Sequence, residues 1–177
     1  MSAYGHFDDV GREFVITRPD TPLPWLNYLG QDDFFGLCTN TAGGSTFWRD
    51  AKLRRVTRYR YNNVPMDAGG RYLYVRDESG SDPVVWNPGW KPVKTPLDEY
   101  RCHVGLGYTD IIGVKDGVEV RQRMFVPPGE DTEVWHVTVG NRSQDARSLR
   151  LFSFVEFAFY EAQNDATNLQ RTMSIGE

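Results

Sequence analysis

Apolar and polar side chains alternate along much of the second half of the chain. In residues 133–139 the apolar side chains of Trp135, Val137 and Val139 lie two positions apart, so they share one face. Residues 71–76 read Arg-Tyr-Leu-Tyr-Val-Arg, and tyrosine and valine favour strands. Both segments are therefore predicted to be β-strands, and the first of them to be half-buried.

Two further segments predict a β-hairpin. Residues 111–114 and 118–126 both have strand-like patterns, and the dipeptide Asp116-Gly117 lies between them. Asp-Gly between two such segments is a signal of a tight turn, so we expect the two strands to pair antiparallel. With the strand that follows and the apolar segment 149–160, the pattern predicts a meander of four strands.

Residues 149–160 are apolar at both odd and even positions. This is typical of a strand that is buried on both faces, and we expect it to be central in its sheet. Glu156 is the exception within it. A buried carboxylate needs a partner, so Glu156 belongs either to a core or interface ion pair or to a functional site.

The first half of the chain is less regular, because prolines and glycines interrupt short apolar segments. Residues 58–61 are predicted to form a strand of alternating arginine and tyrosine, and residues 32–37 one helical turn. No segment has a sustained helical pattern. The spacing of strands and turn signals favours a single all-β domain, an antiparallel β-sandwich that spans residues 1–177.

Composition and charge narrow the function classes. A formal net charge of −4 argues against a general nucleic-acid-binding protein, although residues 52–60 include a basic strip. Cys38 and Cys102 lack metal-site spacing and the chain has three histidines, so no metal site is predicted. No signal peptide or membrane-spanning segment is found, and we expect a cytoplasmic protein with reduced cysteines.

The sequence has no recognisable catalytic motif. The acidic pairs are adjacent in sequence, so the side chains within each pair point away from one another and are expected on the solvated surface. Glycines at 43–44 and 105–107 do not extend to a phosphate-binding loop, and no serine lies in a nucleophile-elbow setting. The acidic pairs are Asp8-Asp9, Asp32-Asp33, Asp98-Glu99 and Glu130-Asp131.

Two sets of residues suit carbohydrate recognition. The first combines guanidinium groups with aromatic rings, which either hold a sugar or simply pack as arginines over aromatic strands. The second is the polar segment 164–171, whose amide and guanidinium donors suit hydroxyl-rich ligands. The first set comprises Arg49, Arg54, Arg55 and Arg71 with Phe47, Trp48, Tyr59 and Tyr61.

Several segments, in order along the chain, resemble the start of cellobiose and chitobiose phosphorylases. The resemblance covers the full length given, and some of these segments are more similar to the cellobiose-acting members. The general matches are residues 4–9, 12–17, 24–30, 42–45, 125–127 and 151–157, and the cellobiose-like ones are residues 49–52, 55–63, 69–72 and 167–171.

The resemblance implies an amino-terminal β-sandwich of an inverting phosphorylase. Such an enzyme cleaves cellobiose with inorganic phosphate, without another cofactor, to α-glucose 1-phosphate and glucose. The catalytic aspartic acid of the family lies on a later (α/α)6 barrel that this chain does not contain, so no catalytic residue is assigned. The β domain of the family contributes to a homodimer, and the residues expected to contact the sugar are Asn168, Gln170 and Arg171.

Two alternatives are left open at this stage. The chain is either a free-standing carbohydrate-binding or scaffold module, or a truncated product without function of its own. Calorimetric titration with cello-oligosaccharides would test the first, and an unpaired sheet edge that promotes aggregation is expected for the second.

Overall fold

A computed structural model describes residues 4–58 and 70–158 of the chain. Within these residues the chain forms β-strands joined by turns and loops, and no helix, as the sequence pattern predicts. The strands are β1 (Gly5–Asp8), β2 (Glu13–Ile16), β3 (Leu26–Gln31), β4 (Phe34–Thr39), β5 (Gly44–Trp48), β6 (Arg71–Asp77), β7 (Val84–Trp86), β8 (Glu99–Val104), β9 (Tyr108–Lys115), β10 (Val118–Phe125), β11 (Val134–Asn141) and β12 (Leu149–Val155).

The described strands form three antiparallel sheets. The large sheet has six strands in the order β1-β2-β8-β9-β10-β11, and two smaller sheets have the orders β12-β6-β7 and β3-β4-β5. Every pair of neighbouring strands runs antiparallel. The predicted all-β class is therefore confirmed.

Two hydrophobic clusters hold the sheets together as a sandwich. In the first cluster, Leu29 and Cys38 of the β3-β4-β5 sheet lie with Ile111 and Met124 of the large sheet. In the second, Val75 and Trp86 of the β12-β6-β7 sheet lie with Val118 and Val120 of β10. Val118, Val120 and Met124 share one face of β10, so both small sheets cover the same face of the large one.

The predicted hairpin between β9 and β10 is confirmed. Lys115 pairs with Val118, and the two residues between them have positive φ angles of 49° at Asp116 and 78° at Gly117. Left-handed backbone at both central positions is the geometry that favours Asp-Gly in a two-residue turn. The sequence therefore sets the register of the β9–β10 pair in the large sheet.

The predicted helical turn at residues 32–37 is wrong. β3 and β4 form a hairpin in which Gln31 pairs with Phe34, and Asp32 makes the turn with a φ of 62°. Phe34, Gly36 and Cys38 are all buried on one face of β4. Because every second residue of β4 is buried, this segment forms a strand and not the helical turn that its local sequence suggested.

The predicted meander and the central position of residues 149–160 are also wrong. The meander consists of β8, β9, β10 and β11, whereas β12 crosses to a small sheet and pairs with β6. Among the described strands, β6 is the only neighbour of β12, so β12 lies at the edge of the described part of its sheet. Most of its side chains are exposed. Apolar residues at both parities do not show which strands are neighbours, so the sequence pattern alone could not predict this exposure.

A junction of backbone hydrogen bonds joins Arg58, Gly70 and Glu156, which lie next to residues 59–69 and close to residues 159–177 in sequence. The N–H of Gly70 donates to the carbonyl of Arg58 (2.8 Å), and the N–H of Glu156 donates to the carbonyl of Gly70 (2.5 Å). Thr57 and Phe157 form an isolated β-bridge beside them. Residues 59–61 of one predicted strand and residues 159–160 of another lie outside the described residues.

Glu156 belongs to this junction as well. Its carboxylate accepts a hydrogen bond from the buried guanidinium of Arg58, and its backbone carbonyl accepts one from the Arg58 N–H (2.8 Å). The Glu156 side chain is 39% exposed. The ion-pair interpretation of Glu156 is thus confirmed, at a sheet edge and not in a core.

Candidate functional site

The three residues that the family resemblance implicates in sugar contact lie outside the described residues. Asn168, Gln170 and Arg171 follow Ala158, the last residue that the structure describes. Ala158 is buried and its N–H donates to the carbonyl of Val56 (2.9 Å). The polypeptide that carries these residues is therefore anchored at the junction, and their contact with sugar stays a prediction.

A cavity of about 400 Å³ opens next to that junction. It lies where β4, β5, β6 and β12 approach the residues that lead into β11. Apolar side chains make up much of its wall, with three threonines, an aspartate and a buried ion pair among them. The lining residues are Phe34, Thr46, Val56, Thr57, Arg71, Asp131, Thr132, Glu133, Trp135, Val155 and Phe157.

The ion pair joins Arg71 of β6 to Glu133, which precedes β11. Their side chains are only 1% and 7% exposed, and Arg71 Nη1 donates to Glu133 Oε2. Arg71 Nη2 also donates to the carbonyl of Leu37 on β4 (2.5 Å). A charge this deeply buried is tolerated because it is both paired and hydrogen-bonded.

Further hydrogen bonds fix the Glu133 carboxylate. Thr46 Oγ1 donates to its Oε2 (2.6 Å) and Trp135 Nε1 donates to its Oε1 (2.9 Å). The guanidinium carbon of Arg71 lies 5.6 Å from the centre of the Trp135 ring, close enough for a cation–π contact. Arg71 Nε is buried without a hydrogen-bond partner in the structure.

The cavity thus has a neutral, polar inner region at Arg71 and Glu133, and a rim in which apolar side chains lie beside the exposed Asp131. Arg71 and Glu133 cancel one another's charge, and Val155 and Phe157 contribute exposed apolar surface at β12 and just after it. Such a site suits an uncharged group with a flat apolar face, for example one pyranose ring. It contains no pair of free carboxylates that could flank a glycosidic bond.

The four arginines singled out in the sequence do not assemble into one site, and Tyr59 and Tyr61 of the same set lie outside the described residues. The guanidinium carbons of Arg49 and Arg54 lie 4.2 and 4.7 Å from the centre of the Trp48 ring, and Arg49 also pairs with Asp33. Arg55 donates to the carbonyl of Ala51 instead. These three arginines pack over surface residues, whereas Arg71 alone among the four arginines named lines the cavity.

Sequence reasoning missed Glu133 and Trp135 as site residues. They lie at the start of a strand that the alternation predicts, but their partner Arg71 is 62 residues away from Glu133 in sequence. The available signal was Glu133 itself, an acidic residue at the same odd-numbered parity as the partly buried Trp135 and Val137. A carboxylate there needs a cation from another strand, and the sequence does not identify which one.

A second polar cluster lies on the opposite face of the large sheet. Glu13 accepts hydrogen bonds from the Tyr108 hydroxyl and lies 2.6 Å from His103 Nδ1. Burial alone would raise the pKa of Glu13, but the hydrogen bonds with Tyr108 and His103 outweigh it and hold the pKa below its usual value. The hydrogen bond to Glu13 also raises the pKa of Tyr108.

Asp110 extends this cluster across β9 and β10. Its side chain is 1% exposed and accepts hydrogen bonds from Arg121 and from Arg123 (Nε to Oδ1 3.0 Å). Burial would raise the pKa of Asp110, yet the two guanidinium groups lower it below its usual value. Each carboxylate of the cluster is satisfied by neighbouring donors, so neither Glu13 nor Asp110 is a free carboxylate.

The described residues contain neither a metal-binding cluster nor a membrane-spanning helix. Within residues 4–58 and 70–158, no group of three histidine, cysteine, aspartate or glutamate side chains could hold a metal ion. That part of the chain also has no helix long and apolar enough to cross a membrane. Cys38 and Cys102 are both buried thiols that form no disulfide, and burial raises the pKa of Cys102 well above its usual value.

The chain is similar to several glycoside phosphorylases. It is 42% identical to the N,N'-diacetylchitobiose phosphorylase of Vibrio proteolyticus and 39% identical to that of Vibrio furnissii, over 96% of this chain in both cases. It is also 36% identical, over 89% of this chain, to the solabiose phosphorylase of Paenibacillus borealis.

The chain corresponds to a small part of these relatives. The matched region covers 21%, 21% and 20% of the three proteins, so the chain spans about a fifth of their length. Residues 12–177 match the family model described as glycosyl hydrolase 94, supersandwich domain. The all-β sandwich and this match agree, and the chain belongs to the glycosyl hydrolase 94 family through its supersandwich domain.

Proposed function

We propose that the chain is the amino-terminal domain of an inverting phosphorylase that cleaves cellobiose with inorganic phosphate to α-glucose 1-phosphate and glucose. The match of residues 12–177 to the supersandwich domain is the observation that carries the proposal. The names of the relatives support phosphorolysis of a disaccharide. The phosphate is a co-substrate, and no further cofactor is proposed.

The described residues support a non-catalytic contribution from this domain. The carboxylates of its two polar clusters are occupied by arginine, tyrosine, histidine or threonine partners. A general acid must keep a proton available near the glycosidic oxygen, and neither cluster offers a carboxyl group that is free for this role. The acid would therefore come from another domain of the same protein.

The domain would lend a substrate-contacting segment to that site. Asn168, Gln170 and Arg171 carry amide and guanidinium donors that suit sugar hydroxyl groups. Their polypeptide starts from a junction fixed by backbone hydrogen bonds and by the Arg58–Glu156 ion pair. A fixed starting point lowers the entropy cost of holding such a segment against a ligand.

Cellobiose is proposed because of residues 49–52, 55–63, 69–72 and 167–171, which resemble the cellobiose-acting members of the family. A second candidate substrate is N,N'-diacetylchitobiose. Identities of 42% and 39% to two phosphorylases named for that sugar favour it. The two candidates differ in the 2-acetamido group, which a pocket must accommodate.

Phosphorolysis assays separate these substrates. The open reading frame that contains this sequence would be expressed in full and incubated with phosphate and each disaccharide. Release of α-glucose 1-phosphate from cellobiose would support the proposal, and release of N-acetylglucosamine 1-phosphate alone would support the second candidate. No sugar phosphate from either disaccharide would refute both.

A function as a free-standing carbohydrate-binding module is the remaining alternative. The cavity with its aromatic wall and neutral polar inner region favours it. Calorimetric titration of cellobiose and longer cello-oligosaccharides onto the 177-residue chain would measure it directly, and absence of heat at millimolar sugar would reject it. A homodimer and a cytoplasmic location belong to the phosphorylase proposal.

A further inference from the structure

Gln122 is a polar side chain in the interior of the sandwich. It is 0% exposed and lies on the inward face of β10, which also carries Val120 and Met124. Val120 belongs to the second hydrophobic cluster and Met124 to the first. Gln122 therefore lies at the boundary between the two clusters. Because it is already fully buried, its surroundings do not depend on what covers the outside of the domain.

The amide of Gln122 makes no hydrogen bond within the described part of the chain. Its Nε2 and its Oε1 are both buried without a partner there. The strand register places Ile111 of β9 and Val137 of β11 on either side of it, and both of these side chains are apolar. Burial of an amide without hydrogen bonds is costly, so a partner is expected.

The indole of Trp86 also lacks a partner. Trp86 is 0% exposed, and its Nε1 is buried without an acceptor among residues 4–58 and 70–158. It belongs to the same hydrophobic cluster as Val120. A buried indole N–H usually has an acceptor. Trp86 and Gln122 thus both need a hydrogen-bond partner on the inward side of the large sheet.

Strand pairing brings these two side chains close to one another. Pro88, two residues after Trp86, lies against β9, since an added Cβ at Gly113 would be 2.6 Å from the Pro88 carbonyl oxygen. Gly113 pairs with Val120. Gln122 is the next inward-facing residue along β10, about 7 Å from Val120 at Cα. One small molecule at this place can therefore contact both the indole and the amide.

Other polar side chains of this interior already have partners. Asn87 donates through Nδ2 to the Leu73 carbonyl (2.7 Å) and accepts through Oδ1 from the Val93 N–H (3.1 Å). The hydroxyl of Tyr100 donates to the carbonyl of Asn40. These side chains are held by their own hydrogen bonds, and the partner of Gln122 and Trp86 has to come from elsewhere.

We propose that Gln122 and Trp86 bind an ordered water molecule inside the sandwich. The water oxygen accepts the Nε1–H of Trp86 and one Nε2–H of Gln122, and one water hydrogen is donated to Gln122 Oε1. Three hydrogen bonds are typical of a buried water. Water fits because the two side chains offer both donors and an acceptor. An ion does not fit, because the second cluster is apolar and would leave the charge uncompensated.

The water site rests on buried groups and on no activity. A structure without the water would leave the phosphorylase proposal standing. Conversely, a full-length protein that releases no sugar phosphate would not affect the water site.

High-resolution crystal structures of the full-length protein from this gene test the site. In the wild type we expect a water oxygen about 2.7–3.2 Å from Trp86 Nε1 and from the Gln122 amide. A Gln122 amide that bonds directly to a protein group would overturn the proposal. So would clear electron density in which no water lies within this distance of both residues.

Two methionine variants show whether Gln122 holds the water. Gln122→Met keeps a side chain of similar length but has neither an N–H nor a carbonyl group, so we expect the water to be lost. Gln144→Met, at an exposed position, is the matched control and should keep it. A water that stays in place in Gln122→Met would overturn the role of Gln122. If Gln122→Met does not fold, the wild-type structure decides alone.

Urea unfolding of the 177-residue chain gives a second measurement. With the water bound, Gln122→Met loses hydrogen bonds, and its unfolding midpoint should lie below those of the wild type and Gln144→Met. Without the water, the same variant removes a buried amide that has no partner, and its midpoint should rise. A midpoint above that of the wild type would therefore overturn the proposal.

Discussion

Arg71 on β6 and Glu133 before β11 form a salt bridge that joins a small sheet to the large one. Their side chains are 1% and 7% exposed. Removal of one partner leaves a buried charge without compensation, which typically costs 3–5 kcal/mol. We therefore predict that Glu133→Ala lowers the free energy of unfolding by about 3–5 kcal/mol, measured by urea denaturation.

The exposed Glu130, three residues earlier, provides the matched control. Glu130→Ala is expected to change the free energy of unfolding by less than about 0.5 kcal/mol. The double variant Arg71→Met with Glu133→Leu should recover most of the loss, because no buried charge is left. A Glu133→Ala variant as stable as Glu130→Ala would show that the ion pair contributes nothing.

Asp110 predicts a dependence of stability on pH. Burial would raise its pKa, but hydrogen bonds from Arg123 and Arg121 hold the pKa below its usual value. Since the folded pKa is lower than the unfolded value of about 3.9, ionised Asp110 stabilises the fold above about pH 4. This contribution is lost as pH falls through the lower pKa of the folded state.

Asp110→Asn should therefore flatten the fall in stability between about pH 4 and pH 2. The free energy of unfolding would be measured by denaturant titration at each pH and compared with wild type. Asp145→Asn, at an exposed position in the turn before β12, is the control and should keep the wild-type slope. An Asp110→Asn slope equal to that of wild type would contradict the assignment.

Gly44 is held where only glycine fits. Its φ is +130°, and an added Cβ would lie 1.9 Å from the carbonyl oxygen of Leu37. We expect Gly44→Ala to cost more than about 2 kcal/mol of stability, because it adds a clash with backbone to backbone strain. Thermal unfolding followed by circular dichroism would measure it.

Gly129→Ala is the control for Gly44→Ala, since Gly129 also has a positive φ of 79° but has no atom within 4 Å of the added Cβ. Strain alone should then cost about 1 kcal/mol. Equal losses in the two variants would mean that the contact with Leu37 relaxes.

Arg171 is the residue whose predicted role most directly concerns the reaction. In the full-length enzyme, Arg171→Ala is expected to lower kcat/KM for the disaccharide by more than tenfold, or over about 1.4 kcal/mol of transition-state stabilisation. Initial rates of sugar phosphate release would measure it. Arg101→Ala, on the exposed side of β8, should keep the wild-type value, and an unchanged kcat/KM for Arg171→Ala would refute the assignment.

Local signals were enough to predict some elements of the fold. The Asp116-Gly117 turn between two alternating segments fixes both the β9–β10 hairpin and its register, because all the information lies within a few residues. β6 and β11 were predicted for the same reason. Residues 32–37 show the limit of local signals. Their sequence suggested one helical turn, but Asp32 makes a turn between two strands.

Non-local pairing could not be predicted in the same way. The apolar pattern of β12 predicts a strand. It does not show that β6 is the neighbouring strand or that the other edge is open in the described structure. The same applies to Arg71, whose partner Glu133 comes from a distant strand. The spacing of strands and turn signals supplied the fold class. The family resemblance supplied the phosphorylase family, because similarity across a whole segment includes pairings that no single pattern contains.

The junction at Arg58 and Gly70 has a consequence for how the domain can change over evolutionary time. Their backbone hydrogen bond clamps both ends of the intervening stretch to each other and, through Glu156, to the end of β12. An added Cβ at Gly70 would lie 2.5 Å from the carbonyl oxygen of Arg58 and 3.0 Å from that of Glu156. Gly70 is therefore expected to stay glycine in descendants of this gene, because any larger residue would separate the three segments that meet there.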